Sequence, residues 1–118
     1  MNNLSSTTIE GFITQDPIIR KTKNNKDVCS FSVAMKHYSS GDDDAKVSFF
    51  DVESWDKLAM FCSEILKKGK RVLVSGSLKQ DRWVDADGKN RSKIILVASQ
   101  IRLLSSDDYG TKKETKAA

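Results

Sequence analysis

Residues 71–104 constrain the chain most. From Arg71 to Lys79 the pattern alternates, with Val72, Val74, Gly76 and Leu78 on one face and mostly polar residues on the other. It runs on through Trp83-Val84 to the turn Ala86-Asp87-Gly88-Lys89, where Asp-Gly is a strong hairpin signal. The chain returns over Arg91–Leu104 with a dense apolar centre, Ile94-Ile95-Leu96-Val97-Ala98, as expected of a strand covered on both faces. Two extended stretches of this length, folded back on one another, commit the molecule to a β architecture.

Three further extended stretches precede the hairpin. Leu4–Thr14 alternates loosely and stops at Asp16-Pro17. Val28–Met35 sets Cys29, Phe31, Val33 and Met35 on one face and Val28, Ser30, Ser32 and Ala34 on the other. Lys46–Trp55 places Val47, Phe49, Asp51, Glu53 and Trp55 on one side, opposite Ser48, Phe50, Val52 and Ser54. Between this strand and the hairpin, Leu58, Phe61, Cys62, Ile65 and Leu66 form an apolar stripe at helical spacing. Ser54 or Asp56 is expected to cap that helix, Lys67 and Lys68 suit its negative end, and Gly69 is expected to stop it in a left-handed turn. Three strands, a helix and a long hairpin are the element order of an OB-fold, a five-stranded Greek-key barrel, although small all-β sandwiches share much of it. The expected organisation is one domain over residues 1–104 and a short disordered tail over 105–118, where apolar residues are nearly absent.

Composition excludes more than it assigns. The chain has 118 residues, a formal net charge of +4 and a 31% charged fraction, a mild tilt toward polyanionic partners. Cys29 and Cys62 lack metal-ligand spacing and sit in apolar patterns, so both are read as reduced core residues. The N-terminus has no signal-peptide pattern and no run reaches transmembrane length, which points to a soluble, cytoplasmic protein. His37 is the sole histidine, so no His-paired triad or His-rich metal site can form. The run Asp42-Asp43-Asp44 lies in a Gly/Ser-rich loop without a partnering glutamate, and the six glycines form no phosphate loop. Neither catalysis, a metal nor a cofactor is expected.

The aromatic residues carry the functional signal. Phe31, Phe50 and Phe61 fall where periodicity asks for core, and Phe12 is ambiguous. Phe49 and Trp55 share the face that also carries Asp51 and Glu53, which is not a dry interior, and six residues separate them by about 20 Å. That spacing suits two stacking stations on one nucleic-acid strand. Trp83 sits among Lys79, Arg82, Lys89, Arg91 and Lys93 on the predicted hairpin. A tryptophan flanked by cations suits single strands: bases stack on the indole and the cations hold phosphates. The plainer reading is that Arg82 covers Trp83 by cation–π stacking.

Taken together, GFITQDPIIR, SFSVAMK, FFDVESWDKLAMFCSEILKKGKRVLVSGSLKQDRWVDADGKNR and IILVASQIRLL resemble the bacterial single-stranded DNA-binding proteins from about Leu4 to Leu104. Gly11, Asp16, Pro17 and Arg20 match that family's first-strand motif. Trp55, Lys57, Leu58 and Ala59 match its helix entry. Lys68, Gly69, Val72, Leu73, Val74, Gly76 and Leu78 match the next strand, and Trp83, Asp85, Gly88 and Arg91 the hairpin. The resemblance implies base stacking at Phe49, Trp55 and Trp83, with Tyr38 or Ser39 near a further aromatic position. Arg20, Lys36 and Lys57 join the hairpin cations as expected phosphate contacts. It also implies a homotetramer that pairs through its first strand and acts in DNA replication, recombination and repair.

Two departures stand out. Asp51 and Glu53 occupy a stretch where the family often carries a base, and acids beside a phosphate path weaken binding unless they are paired. The chain closes on KKETKAA rather than an acidic tip, so docking of replication and repair proteins through such a tip is not expected. The competing expectations are a protein-interaction relative with weak DNA binding and an RNA-binding domain of the cold-shock kind.

Overall fold

The computed structural model describes residues 3–38, 41 and 44–104. The tail expected over 105–118, Ser39 and most of the acidic loop lie outside the described residues. Six strands and one helix follow in order: β1 (Thr7–Ile13), β2 (Ile18–Lys21), β3 (Asp27–His37), β4 (Lys46–Trp55), α1 (Asp56–Ile65), β5 (Arg71–Val84) and β6 (Asn90–Leu104).

The sheet runs β1-β5-β6-β4-β3-β2, and a further β1–β3 pairing closes β1, β5, β6, β4 and β3 into a barrel. All pairings are antiparallel except β4–β6, which is parallel and spans Asp51↔Ile95 to Glu53↔Val97. This is the five-stranded OB-fold expected from the element order. Its interior holds Ile13, Cys29, Phe31, Val33, Val52, Val72, Val74, Leu96 and Ile101, with Ala59, Cys62 and Leu66 brought in by α1 and the residue after it. The alternation read from β3, β4 and β5 is therefore the alternation of barrel interior and exterior.

Four local details differ from the sequence reading. β2 is an added strand on β3, pairing Ile18 with Ser30 and Lys21 with Asp27. All four of its residues are exposed, so no periodic signal announced it. Its turn is made by Asn25, at φ 65, with Thr22 N–H donating to Lys26 O at 2.9 Å. Second, no side chain caps α1. Trp55 is the N-cap residue, while the Ser54 hydroxyl donates to Cys29 O at 3.4 Å.

Third, α1 ends at Ile65, before Lys67, Lys68 and Gly69. Gly69 does take a left-handed φ of 89°, but in a connection where its N–H donates to Ile13 O at 2.7 Å. The backbone beyond Leu66 is drawn off to close against β1, aided by Asp16 Oδ1 accepting from Lys68 N–H at 2.9 Å. Fourth, Phe50 has interior parity yet remains partly exposed, because it lies just before β4 begins to pair with β6, at Asp51. Phe12 is likewise partly exposed.

Gly76 sits at a β-bulge. Ser75 pairs with Gln100 and Gly76 with Ala98, leaving Ser99 as the extra residue, and Ser99 Oγ donates to Ser75 O at 3.2 Å. A β-carbon at Gly76 would run into the backbone of Val97 and Ala98.

Candidate nucleic-acid interface

The exterior of β3, β4, β6 and β5 forms a continuous face. Cross-strand register carries one row from Ser32 through Asp51 and Ile95 to Lys79, and the next from Ser30 through Glu53 and Val97 to Ser77. Toward the hairpin end of β5–β6, Asp81 lies opposite Lys93 and Trp83 opposite Arg91. Phe49 lies opposite Ala34 on the same face, 67% exposed. Phe49 and Trp83 thus project from one side of the molecule, on two different strands.

Trp55 is less open. Its ring is partly buried, and Nε1–H donates to Glu53 Oε1 at 3.1 Å. Its cross-strand neighbour Val28 is fully buried although its parity is exterior, and Arg20 flanks Val28 from β2. Trp55 is partly committed to packing.

A groove of about 410 Å³ runs along this face, lined among others by Arg20, Ser30, Ser32, Asp51, Glu53 and Lys93. Three of its acids and Lys93 take part in ion pairs. Lys79 Nζ lies 2.8 Å from Glu53 Oε1 and 3.5 Å from Asp81 Oδ1, and Lys93 Nζ lies 3.8 Å from Asp51 Oδ2. The hydrogen bond to Glu53, assisted by its charge, pushes the Lys79 pKa up. The two acids that break the family pattern are therefore paired with lysines, and Glu53 is held at the groove by Lys79 and Trp55.

Across the β5–β6 hairpin the expected cations divide. Lys79, Arg91 and Lys93 share the face of Trp83 by register, whereas Arg82 lies opposite Ser92 on the other face. There Arg82 Nη2 donates to Gln80 Oε1 at 2.8 Å, so its guanidinium is engaged away from the indole. Lys89 belongs to the turn, where its N–H and that of Asp87 both donate to Asp85 Oδ1. Asp85 also accepts from Arg91 Nε at 2.7 Å, and that bond, with the backbone donors, holds its carboxyl below the usual range. Trp83 is 45% exposed at the root of this braced turn.

Of the remaining expected residues, Lys36 is exposed opposite Val47 on the Phe49 face. Tyr38, one residue past β3, is exposed, and Lys57 is exposed in the first turn of α1. The sequence reading missed the floor of the groove. Ser30 and Ser32 were visible as the polar side of β3, but Ile18, Ile95 and Thr14–Asp16 join it only through β2 and the parallel pairing. Among the described residues no group of three or more His, Cys, Asp or Glu side chains is placed to hold a metal ion.

Comparison with known proteins agrees with this geometry. A model of the single-strand binding protein family matches residues 4–104. The single-stranded DNA-binding protein of Treponema pallidum is 36% identical over 108 residues, covering 90% of this chain and 61% of that protein. The chain thus spans about three-fifths of that relative's length. A Synechocystis protein, single-stranded DNA-binding protein 1, is 31% identical over 105 residues, covering 88% of this chain and 86% of its own. Among solved structures, a Plasmodium falciparum SSB in complex with ssDNA superposes with a TM-score of 0.80 at 19% identity, covering 89% of this chain and 98% of that one.

Proposed function

Because the chain belongs to the single-strand binding protein family, we propose that it coats single-stranded DNA during replication, recombination and repair, without catalysis and with little dependence on sequence. The observation that carries this reading is the shared face of Phe49 and Trp83, both open to solvent beside a groove lined by Arg20 and Lys93, with Arg91 on the same face opposite Trp83. Bases stack on the rings, and the cations replace the counterions of the phosphates. Lys36, Lys57 and Tyr38 extend the path, and Trp55 contributes its exposed edge. The relatives named for the same binding support the assignment.

The reading extends to assembly and place. The outer edge of β1, which meets β3 only at Phe12 and Ile13, suits pairing with a second copy, in line with a homotetramer. Residues 1–104 act as one binding domain. Work on exposed DNA puts the protein in the cytoplasm at the nucleoid, and no helix among the described residues is long and apolar enough to cross a membrane.

Titration with oligo(dT) should quench the tryptophan fluorescence, with duplex DNA doing much less, and affinity should fall as salt rises. No quenching at low salt would remove the proposal.

A further inference from the structure

The groove beside the stacking rings is rich in acceptors, which is unexpected along a phosphate path. Asp51, Glu53 and Asp81 line it with the hydroxyls of Ser30 and Ser32. Glu53 is the most constrained of these, its side chain only 8% exposed. Its contacts from Lys79 Nζ, at 2.8 Å, and Trp55 Nε1, at 3.1 Å, both fall on Oε1, which leaves Oε2 the freer oxygen of a carboxylate that lines the groove. A carboxylate held in this way cannot swing out to water, and its remaining lone pairs belong to whatever enters the groove.

We infer that Glu53 is a base-reading residue: its Oε2 accepts a hydrogen bond from the exocyclic amino group of a nucleobase lying in the groove, biasing the protein toward amino-bearing bases, cytosine foremost. This inference rests on the single-strand-binding reading above. Carboxylates pair with the cytosine N4 amino group by simple complementarity, a donor meeting an acceptor. Uracil and thymine place a carbonyl oxygen at the same position, which sets two acceptors against one another in a partly dry site. Sites that hydrogen-bond a polar group reject the analogue lacking it far more strongly than apolar pockets discriminate by size. The Lys79 ion pair, at 2.8 Å, holds the carboxylate in place at the groove. It also spends that lysine's charge on Glu53 rather than on a phosphate, so the site trades backbone attraction for recognition of the base.

The test compares oligo(dC) with oligo(dU), which differ in the group at position 4 and the protonation of the adjacent ring nitrogen. Mildly alkaline buffer keeps cytosine neutral and unstructured. The native protein should bind oligo(dC) about tenfold more tightly, roughly 1.4 kcal/mol. Glu53→Gln, which offers an amide donor as well as an acceptor, should bring the two affinities together while oligo(dU) binding stays equal or improves. Equal binding of both by the native protein, or a cytosine preference that persists undiminished in folded Glu53→Gln, overturns the inference and leaves the general reading intact. The comparison on the native protein stands even if the variant does not fold. Failure to bind either oligomer overturns both readings at once.

Discussion

The two tryptophans do different work, and their surroundings say so. Trp83 stands 45% open on a hairpin that protrudes from the barrel, and nothing in the interior depends on it. Trp55 donates to Glu53 and flanks the fully buried Val28, so part of its ring belongs to the fold. Trp83→Ala should weaken oligo(dT) binding by roughly 1–3 kcal/mol per stacked base lost and leave the thermal midpoint nearly unchanged. Trp55→Ala should lower both affinity and midpoint. Anisotropy titrations and thermal melts on the two variants decide the point, and a collapse of stability in the Trp83 variant would place that indole in a structural role. The sequence made Trp83 conspicuous because charges surround it. It could not reveal the burial of Glu53, since the residues that cover it, Lys79 and Trp55, belong to a distant strand and to the next outward position of its own.

At the level of elements, alternation was legible wherever one face of a strand meets the core. β3, β5 and most of β4 follow it. It was silent for β2, whose residues are exposed on both sides, and misleading at Phe50, where the right parity occurs just short of the pairing between β4 and β6. The helix boundary was misjudged for a related reason. Gly69 has the conformation expected of a stop, but pairing with Ile13 ends the helix four residues earlier. The bulge at Gly76 is an element-scale device: it turns β5 and β6 where barrel becomes protruding hairpin, and the two backbones approach closely there. Gly76→Ala should cost roughly 1–3 kcal/mol of stability, because rigid backbone must move to admit the methyl group. In urea the transition midpoint should fall with little change in slope. An unchanged midpoint would show that the bulge relaxes freely.

For the whole molecule, the buried thiols make stability depend on alkaline pH. Burial, helped by the nearby Cys62, pushes Cys29 from 9.0 up to about 11, and burial raises Cys62 as well. Between 9.0 and about 11 the unfolded chain gives up its Cys29 proton while the folded chain retains it. Stability is therefore full below 9.0, falls as pH climbs through that window, and its loss is complete above it. Melting temperatures across this range should decline more steeply for the native protein than for Cys29→Ala, with Cys62 leaving a residual slope in the variant. Identical slopes would mean that the thiol ionises freely in the fold.

The β3–β4 and β5–β6 hairpins each join neighbouring stretches of chain, but among the described residues the backbone pairing between them is the short parallel seam at Asp51–Glu53 and Ile95–Val97, strands more than forty positions apart. Bringing such distant segments together costs chain entropy that no local turn can offset, so the hairpins form early and the seam closes late, setting the pace of folding. The acceptor-lined groove lies across that seam. A newly made chain thus brings the rings of Phe49 and Trp83 onto one face only at the final step of becoming a barrel.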